Sequence, residues 1–229
     1  MKAVILAAGE GTRMRPLTHT TPKPLLRVNG KPIMEYIFDS LPAEITEVII
    51  ATLYLGEQIQ SHFGAERNGK KITYVDGSNR GTAYSFLATK KYLNDERFIL
   101  IQGDELTDEV DINNCLQHEL SILTFEPENP SACGMAHLRP DGTIKRIIEK
   151  PKKTKSKIAV NGVMVLNTNI FNYTPEITKG EFYFSVMVDK FARDHKVVPV
   201  HLQKTIIGIT EPSDIERATI TLKERGLSS

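Results

Sequence analysis

The chain has 229 residues, of which 40% are hydrophobic and 25% charged, so it is long and apolar enough to bury a core. Its 29 lysines and arginines balance 28 aspartates and glutamates, which argues against a protein that binds nucleic acid or anionic membranes. It has neither an apolar run of membrane-spanning length nor a signal-peptide pattern, so we expect a cytoplasmic protein. Cys115 and Cys133 make neither a disulfide framework nor a zinc site and are expected to be reduced.

The first half of the sequence alternates short apolar runs with amphipathic segments. The apolar runs predict strands at Lys2–Leu6, Glu47–Ala51, Lys71–Val75 and Arg97–Gln102. The amphipathic segments predict helices at Pro32–Leu41, Gly56–Phe63 and Thr82–Leu93. This alternation predicts an α/β fold with a doubly wound, mostly parallel, Rossmann-like sheet.

The second half is less regular and predicts a smaller, partly antiparallel part. Strands are expected at Ser121–Phe125, Ala132–Leu138, Thr143–Ile148 and Lys157–Leu166, and helices at Phe184–Arg193 and Pro212–Glu224. A Pro140-Asp141-Gly142 turn favours antiparallel pairing of the strands that it joins. Since we find no linker and no repeat, we expect one domain over residues 1–229, divided at about residue 110.

A glycine-rich loop follows the first predicted strand. Gly9 and Gly11 let backbone amides approach an anion without obstruction by a Cβ atom, and Arg13 adds a bidentate donor for phosphate. The loop lacks the third glycine of the dinucleotide fingerprint and the Gly-Lys-Ser/Thr of a Walker loop. The alternative interpretation is a glycine-rich turn with solvated arginines.

A second cation lies on the same stretch of chain. Pro22 and Pro24 flank Lys23 and restrict its backbone, so its ammonium group can be held in place. Two cations on one preorganised loop suit a triphosphate.

Three motifs in residues 1–33 carry a family resemblance. They are G-x-G-T-R-x-x-P-L-T at 9–18, T-P-K-P-L-L at 21–26 and G-K-P-I at 30–33. This stretch resembles the sugar-1-phosphate nucleotidyltransferases, which include thymidylyl-, uridylyl- and guanylyltransferases. The resemblance implies transfer of a nucleoside monophosphate from an NTP to a sugar-1-phosphate, with release of pyrophosphate and help from Mg²⁺. It also implies a role in nucleotide-sugar and polysaccharide biosynthesis, and assembly into a homo-oligomer.

The resemblance assigns candidate roles to individual residues. The first half would bind the nucleotide, through Leu6, Ala8, Gly9, Gly11, Thr12, Asp76, Gly81 and Thr82. The catalytic residues would be Arg13, Lys23 and Asp104, and Asp104 would also hold Mg²⁺. The second half would bind the sugar phosphate, through Gly134, Glu149, Lys150 and Asn161. Local alternatives are that Asp104 is a turn former or helix cap and that Thr82 is a plain N-cap.

One position departs from the family pattern. Residues 206–214 align with a segment that commonly carries a second magnesium-binding aspartate, and Gly208 occupies that aspartate position. Glu211 or another carboxylate would complete the metal site, or Asp104, phosphates and water would hold Mg²⁺. The departure leaves open a weakened homologue that binds nucleotide sugars in a regulatory role.

The nucleobase preference is expected to depend on Asp76. This residue lies five positions before Gly81, where thymidylyl- and uridylyltransferases usually have glutamine. An ionised carboxylate only accepts hydrogen bonds, so it favours GTP over UTP or dTTP, with CTP as a competitor. Residues 76–86 also faintly resemble choline-phosphate cytidylyltransferases. The alternative is that Asp76 caps the turn that it begins.

Overall fold

The computed structural model describes residues 1–94, 97–202 and 208–224, and its elements are numbered along the chain. The strands are β1 (Lys2–Ala7), β2 (Arg27–Val28), β3 (Lys31–Pro32), β4 (Glu47–Thr52), β5 (Glu66–Arg67), β6 (Lys70–Asp76), β7 (Arg97–Gln102), β8 (Ser121–Phe125), β9 (Gly134–Leu138), β10 (Ile144–Glu149), β11 (Ile158–Asn167) and β12 (Val198–His201). The α-helices are α1 (Ile33–Ser40), α2 (Gly56–Phe63), α3 (Thr82–Leu87), α4 (Glu109–Leu116), α5 (Phe184–Asp194) and α6 (Pro212–Glu224).

The main sheet has the order β10-β9-β11-β7-β1-β4-β6-β5, with β8 beside β11 and β12 beside β8. Strands β7, β1, β4 and β6 are parallel. Strand β11 runs antiparallel to β7, β8 and β9, and β9 pairs antiparallel with β10. The predicted α/β class, with a mostly parallel sheet and antiparallel additions, is confirmed.

The register of the central strands places their carboxyl ends at one edge of the sheet. Leu6 of β1 lies opposite Ala51 of β4 and Gln102 of β7, and Thr52 lies opposite Asp76. The loops that leave these ends therefore meet, as ligand-binding loops do in open α/β sheets.

Two boundaries differ from the prediction by more than one residue. The helix expected over Thr82–Leu93 ends at Leu87, and a 3₁₀ turn covers Lys90–Tyr92. The Thr89 hydroxyl and amide both donate to the Phe86 carbonyl, at 2.7 and 2.9 Å, and this three-residue spacing ends the α-helical pattern. Strand β9 begins at Gly134 rather than at Ala132, because Pro130–Ala132 form a 3₁₀ turn.

Apolar side chains cover both faces of the sheet, and a third, smaller cluster lies beneath α6. This third cluster packs Ile209 and Leu222 against Met14 of the glycine-rich loop. Helix α6 and the glycine-rich loop therefore contribute to one hydrophobic cluster. None of the described helices is long and apolar enough to cross a membrane.

A buried carboxylate fixes the start of α6. Asp214, 4% exposed, accepts hydrogen bonds from the amides of Thr210 and Glu211, at 2.7 and 2.9 Å, and from the Thr210 hydroxyl at 2.8 Å. Arg217 also donates to it, at 2.7 Å. Burial alone would raise the pKa of Asp214, but these hydrogen bonds and the Arg217 charge together bring it below its usual value.

The Asp214→Asn substitution is expected to lower the free energy of unfolding at neutral pH by about 2 kcal/mol. Because the folded-state pKa is depressed, the carboxylate stabilises the protein above its unfolded pKa of about 4, and this contribution is lost as pH falls through the folded value. Urea unfolding of both proteins at neutral and acidic pH should therefore give a difference that shrinks in acid. Glu216→Gln, an exposed change on the same helix, is the control. A difference independent of pH would contradict the electrostatic explanation.

Candidate functional site

A cavity of about 290 Å³ opens at the carboxyl ends of β1 and β7. Ten of the residues that the sequence singled out line it: Leu6, Ala8, Gly9, Gly11, Thr12, Arg13, Lys23, Gly81, Thr82 and Asp104. Further lining residues include Ser78, Ser85, Gln102, Glu181 and Thr210. The structure thus brings together segments that are far apart in the sequence.

The glycine-rich loop is held in a shape that requires glycine at one position. Gly11 has φ +61°, and a Cβ atom there would lie 3.1 Å from Thr18 Cγ2 and 3.2 Å from Lys23 Cβ. Gly9 is different, because a Cβ atom at that position would meet no atom within 4 Å. The Thr18 hydroxyl donates to the Gly11 carbonyl at 2.9 Å and ties the loop to the following turn.

We expect Gly11→Ala to lower the free energy of unfolding by about 1–3 kcal/mol, because alanine is strained at positive φ and its methyl group crowds Lys23. Gly9→Ala is the matched control, and its stability should be within about 0.5 kcal/mol of the unsubstituted protein. Urea denaturation measures both. Equal losses in the two variants would contradict this account of the loop.

The two arginines of the loop have different surroundings. Arg15 donates to Glu10 at 3.1 Å, and both side chains are exposed. The Arg13 side chain lines the cavity, and its guanidinium has neither a hydrogen-bond nor an ion-pair partner among the described residues. Arg13 is therefore available to an anionic ligand.

Lys23 lies beneath the loop and is 8% exposed. The prolines on either side of it are buried, and Lys23 begins a 3₁₀ turn that ends at Leu25. Its ammonium group pairs with Asp104 Oδ2, whose side chain is 38% exposed and faces the cavity. Because β7, which precedes Asp104, is adjacent to β1, which precedes the glycine-rich loop, this ion pair and Arg13 line the same end of the cavity.

The other side of the cavity is formed by the loop after β6, which lies two strands from β1 in the sheet. Gly81 has φ +124°, and a Cβ atom there would lie 2.6 Å from the Phe182 carbonyl oxygen, so a side chain would not fit. The Thr82 hydroxyl accepts a hydrogen bond from the Phe184 amide at 2.9 Å, a role that neither sequence interpretation anticipated. Asp76 is exposed at the end of β6 and is not among the residues that line the cavity.

The residues predicted for the sugar phosphate lie outside the lining of this cavity. Glu149, whose side chain is 12% exposed, accepts from the Ser185 hydroxyl at 2.7 Å and lies against Gly134, where a Cβ atom would be 3.2 Å from Glu149 Oε2. Lys150 donates to the Tyr183 hydroxyl at 3.2 Å. These contacts form one polar group around Tyr183 and Ser185, which follow the cavity-lining Glu181 by two and four residues.

Asn161 contacts a carboxylate that the sequence analysis did not select. Its Nδ2 donates to Glu105 at 3.1 Å, and its Oδ1 accepts from the Val163 amide at 3.1 Å. The Gly162 amide donates to the same carboxylate at 3.3 Å. Burial, and then the neighbouring Asp104 charge, raise the pKa of Glu105 to about 7, against the effect of these hydrogen bonds.

The segment aligned with the second metal position provides no carboxylate at the expected place. Gly208 is exposed and its Cα faces open space, while Glu211 accepts from Ser213 at 2.5 Å. Ile206 and Ile207 of the same alignment lie outside the described residues. Among the residues that are described, no group of three His, Cys, Asp or Glu side chains is arranged to hold a metal ion.

Comparisons with known proteins agree with this architecture. The sequence model of the family described as nucleotidyl transferase matches residues 2–200. A UTP–glucose-1-phosphate uridylyltransferase of Haloferax volcanii, AglF, is 30% identical over 98% of this chain and 97% of its own length. The bifunctional protein GlmU of Methanocaldococcus jannaschii is 29% identical over 98% of this chain, which spans only 55% of that relative.

A solved structure of UDP-glucose pyrophosphorylase with UDP-glucose superposes with a TM-score of 0.85. The alignment covers 98% of each chain at 20% identity, so the likeness concerns the fold. Both halves of the described architecture therefore have a counterpart in that structure.

Proposed function

Since the chain belongs to the nucleotidyl transferase family, as its motifs predicted, we propose that it transfers a nucleoside monophosphate from an NTP to a sugar-1-phosphate. The observation that carries this proposal is the cavity that Arg13, Lys23 and Asp104 line together, with Lys23 paired to Asp104. Two cations, a glycine loop and a carboxylate in one cavity suit a triphosphate and its metal ion.

The reaction requires no general base. A sugar-1-phosphate is largely ionised near neutral pH, because the second pKa of a phosphomonoester is about 6. Its phosphate oxygen forms a bond to the α-phosphorus of the NTP, the bond from that phosphorus to the bridging oxygen breaks, and pyrophosphate leaves with the electron pair. What the protein must supply is neutralisation of charge and an in-line arrangement of the two substrates.

Arg13 and Lys23 meet the first requirement. The guanidinium of Arg13 would bind phosphate oxygens in a bidentate manner. Lys23, which lies between Pro22 and Pro24, would act as a point charge. Gly9 and Gly11 also line the cavity and carry no Cβ atom, so phosphate oxygens can approach the backbone of the loop. We infer that these groups hold the triphosphate.

In phosphoryl-transfer sites, Mg²⁺ is usually held by one or two carboxylates, phosphate oxygens and water. The residues of this cavity fit that mode of binding. Asp104 would hold it, since its carboxylate is partly exposed and faces the cavity. When bound, Mg²⁺ supplies further positive charge at the phosphates. Gly208 has no carboxylate, and Glu211 accepts from Ser213 and does not line the cavity, so Asp104 would be the protein ligand of Mg²⁺ among the described residues.

For the acceptor we propose the group formed by Gly134, Glu149 and Lys150. Glu149 offers a carboxylate to sugar hydroxyls, and Lys150 offers a cation to the sugar phosphate. Asn161 would act indirectly, because both ends of its side-chain amide are used within the protein.

Which nucleobase the protein prefers depends on residues other than those that hold the triphosphate. The expectation of GTP depends on Asp76, an exposed residue outside the lining of the cavity, whereas the name of AglF specifies UTP. Thermal unfolding in the presence of GTP, UTP, dTTP or CTP tests it, because a ligand that binds the folded state raises the unfolding temperature. Protection by UTP or dTTP at concentrations where GTP has no effect would rule out the guanine preference.

Release of pyrophosphate tests the function directly. The protein is mixed with each NTP, Mg²⁺ and a panel of sugar-1-phosphates, with phosphocholine included as an acceptor that is not a sugar. We expect release that depends on both the NTP and one sugar-1-phosphate and that EDTA abolishes. Binding of a nucleotide sugar without any release would instead support the regulatory homologue, for which Gly208 is the observation in favour.

A further inference from the structure

A carboxylate that the motifs did not single out lines the cavity beside the loop after β6, and β6 lies three strands along the sheet from β7, which precedes Asp104. Glu181 lines the same cavity as Ser78, Gly81 and Ser85. Its side chain is exposed, and it has neither a hydrogen-bond nor an ion-pair partner in the part of the chain that the structure describes. An unpaired carboxylate in a ligand cavity is available to a donor on the ligand.

The backbone around Glu181 is fixed rather than loose. A tight turn from Thr178 to Glu181 is closed by two hydrogen bonds, of 2.8 and 3.1 Å, with Lys179 and Gly180 at positive φ. The Phe182 amide then donates to the Arg80 carbonyl at 3.4 Å, and the Phe182 carbonyl accepts from the Ala83 amide at 2.9 Å. Glu181 is therefore held at a set distance from the loop that contains Gly81.

The charges along the cavity determine which part of a nucleotide meets Glu181. Arg13 and Lys23 attract the triphosphate to one end, whereas the negative charge of Glu181 repels phosphate. The uncharged nucleoside would consequently lie against the wall formed by Ser78, Gly81 and Glu181. A carboxylate in that position recognises groups that donate hydrogen bonds.

We propose that Glu181 is a specificity-determining residue that accepts hydrogen bonds from two adjacent donors of the nucleoside. This inference depends on the function proposed above, because it assumes that an NTP occupies the cavity. Two parts of a nucleotide offer such a pair of donors: the 2′- and 3′-hydroxyls of ribose, and the N1–H and exocyclic amine of guanine.

Isothermal titration calorimetry with nucleotides that differ by one donor distinguishes these sources. UTP is compared with 2′-deoxy-UTP for the ribose, and GTP with ITP, which lacks the exocyclic amine, for the base. For one of these two pairs, we expect the unsubstituted protein to bind the nucleotide that carries both donors about tenfold more tightly than the nucleotide that lacks one. Glu181→Gln should reduce that ratio to about twofold or less, because the amide is uncharged and offers one accepting atom.

Glu176→Gln is the matched control, since Glu176 is an exposed carboxylate of the same segment that pairs with Lys190 and does not line the cavity. It should keep the full ratio. If Glu181→Gln keeps the ratio as well, the inference is wrong while the proposed function stands. If the unsubstituted protein binds none of the nucleotides, both are overturned. Thermal unfolding without ligand verifies that each variant is folded.

Discussion

Replacing Arg13 with alanine is expected to lower the turnover number roughly 10²–10³-fold, the usual effect of removing one preorganised donor from a developing negative charge. The free energy of unfolding should stay within about 0.5 kcal/mol, because the side chain is exposed and has no partner among the described residues. Steady-state pyrophosphate release at saturating substrate measures the first quantity and urea unfolding the second. An unchanged turnover number would contradict the proposed role of Arg13.

The chain offers a close control for this substitution. Arg15 lies two residues further along the same loop, and it pairs with Glu10 at 3.1 Å instead of lining the cavity. Arg15→Ala removes the same charge from the same loop, but turnover should remain within about twofold of the unsubstituted protein, as expected for a screened surface charge. An equal loss in both variants would assign the effect to the general charge of the loop.

The parts of the fold that were predicted correctly depend on short-range patterns. The apolar runs of β1 and β7 identified buried strands, and the predicted helix over Gly56–Phe63 has the observed bounds. Strand β12 was missed because Pro199 interrupts its apolar run, and proline is tolerated there since β12 is an edge strand paired only with β8 among the described strands.

Helix α4 was missed for a different reason. Its sequence is rich in asparagine and aspartate, which are weak helix formers, and its apolar stripe is short. One local signal was present: Asp108 precedes the helix, and its side chain accepts from the Val110 amide at 2.9 Å, as an N-cap does. Asn29-Gly30 was a similar signal for the hairpin of β2 and β3, because both residues have the positive φ of a type I′ turn.

The residues of the candidate site also fall into those that a local sequence pattern identifies and those that long-range contacts bring to the site. Motifs located the glycine loop, Lys23 and Asp104, since each carries its own sequence pattern. Glu181 reaches the cavity only because the backbone at Phe182 pairs with a loop about a hundred residues earlier. Glu105 was passed over although it follows Asp104, because its contact with Asn161 depends on the pairing of β11 with β7. Such contacts follow from topology, which local patterns do not encode.

The largest coupled effect is expected for Lys23 and Asp104. Lys23→Met and Asp104→Asn should each lower turnover roughly 10²–10³-fold, because each removes a charge at the phosphate end of the cavity. The double variant should lose much less than the product of the two single losses, since either change also disrupts the ion pair that positions the other partner. Pyrophosphate release by all four proteins gives the coupling.

Lys31 and Asp39 provide a control cycle of the same chemistry. They form an ion pair on α1 and the preceding strand, away from the cavity lining, with side chains 31% and 49% exposed. Lys31→Met and Asp39→Asn should leave turnover within about twofold, singly and together. Fully multiplicative losses at Lys23 and Asp104 would contradict the coupling, because they would mean that the two groups act on the substrates independently. In that case the ion pair with Asp104 would have no part in positioning Lys23, and the buried prolines beside Lys23 would alone account for its place.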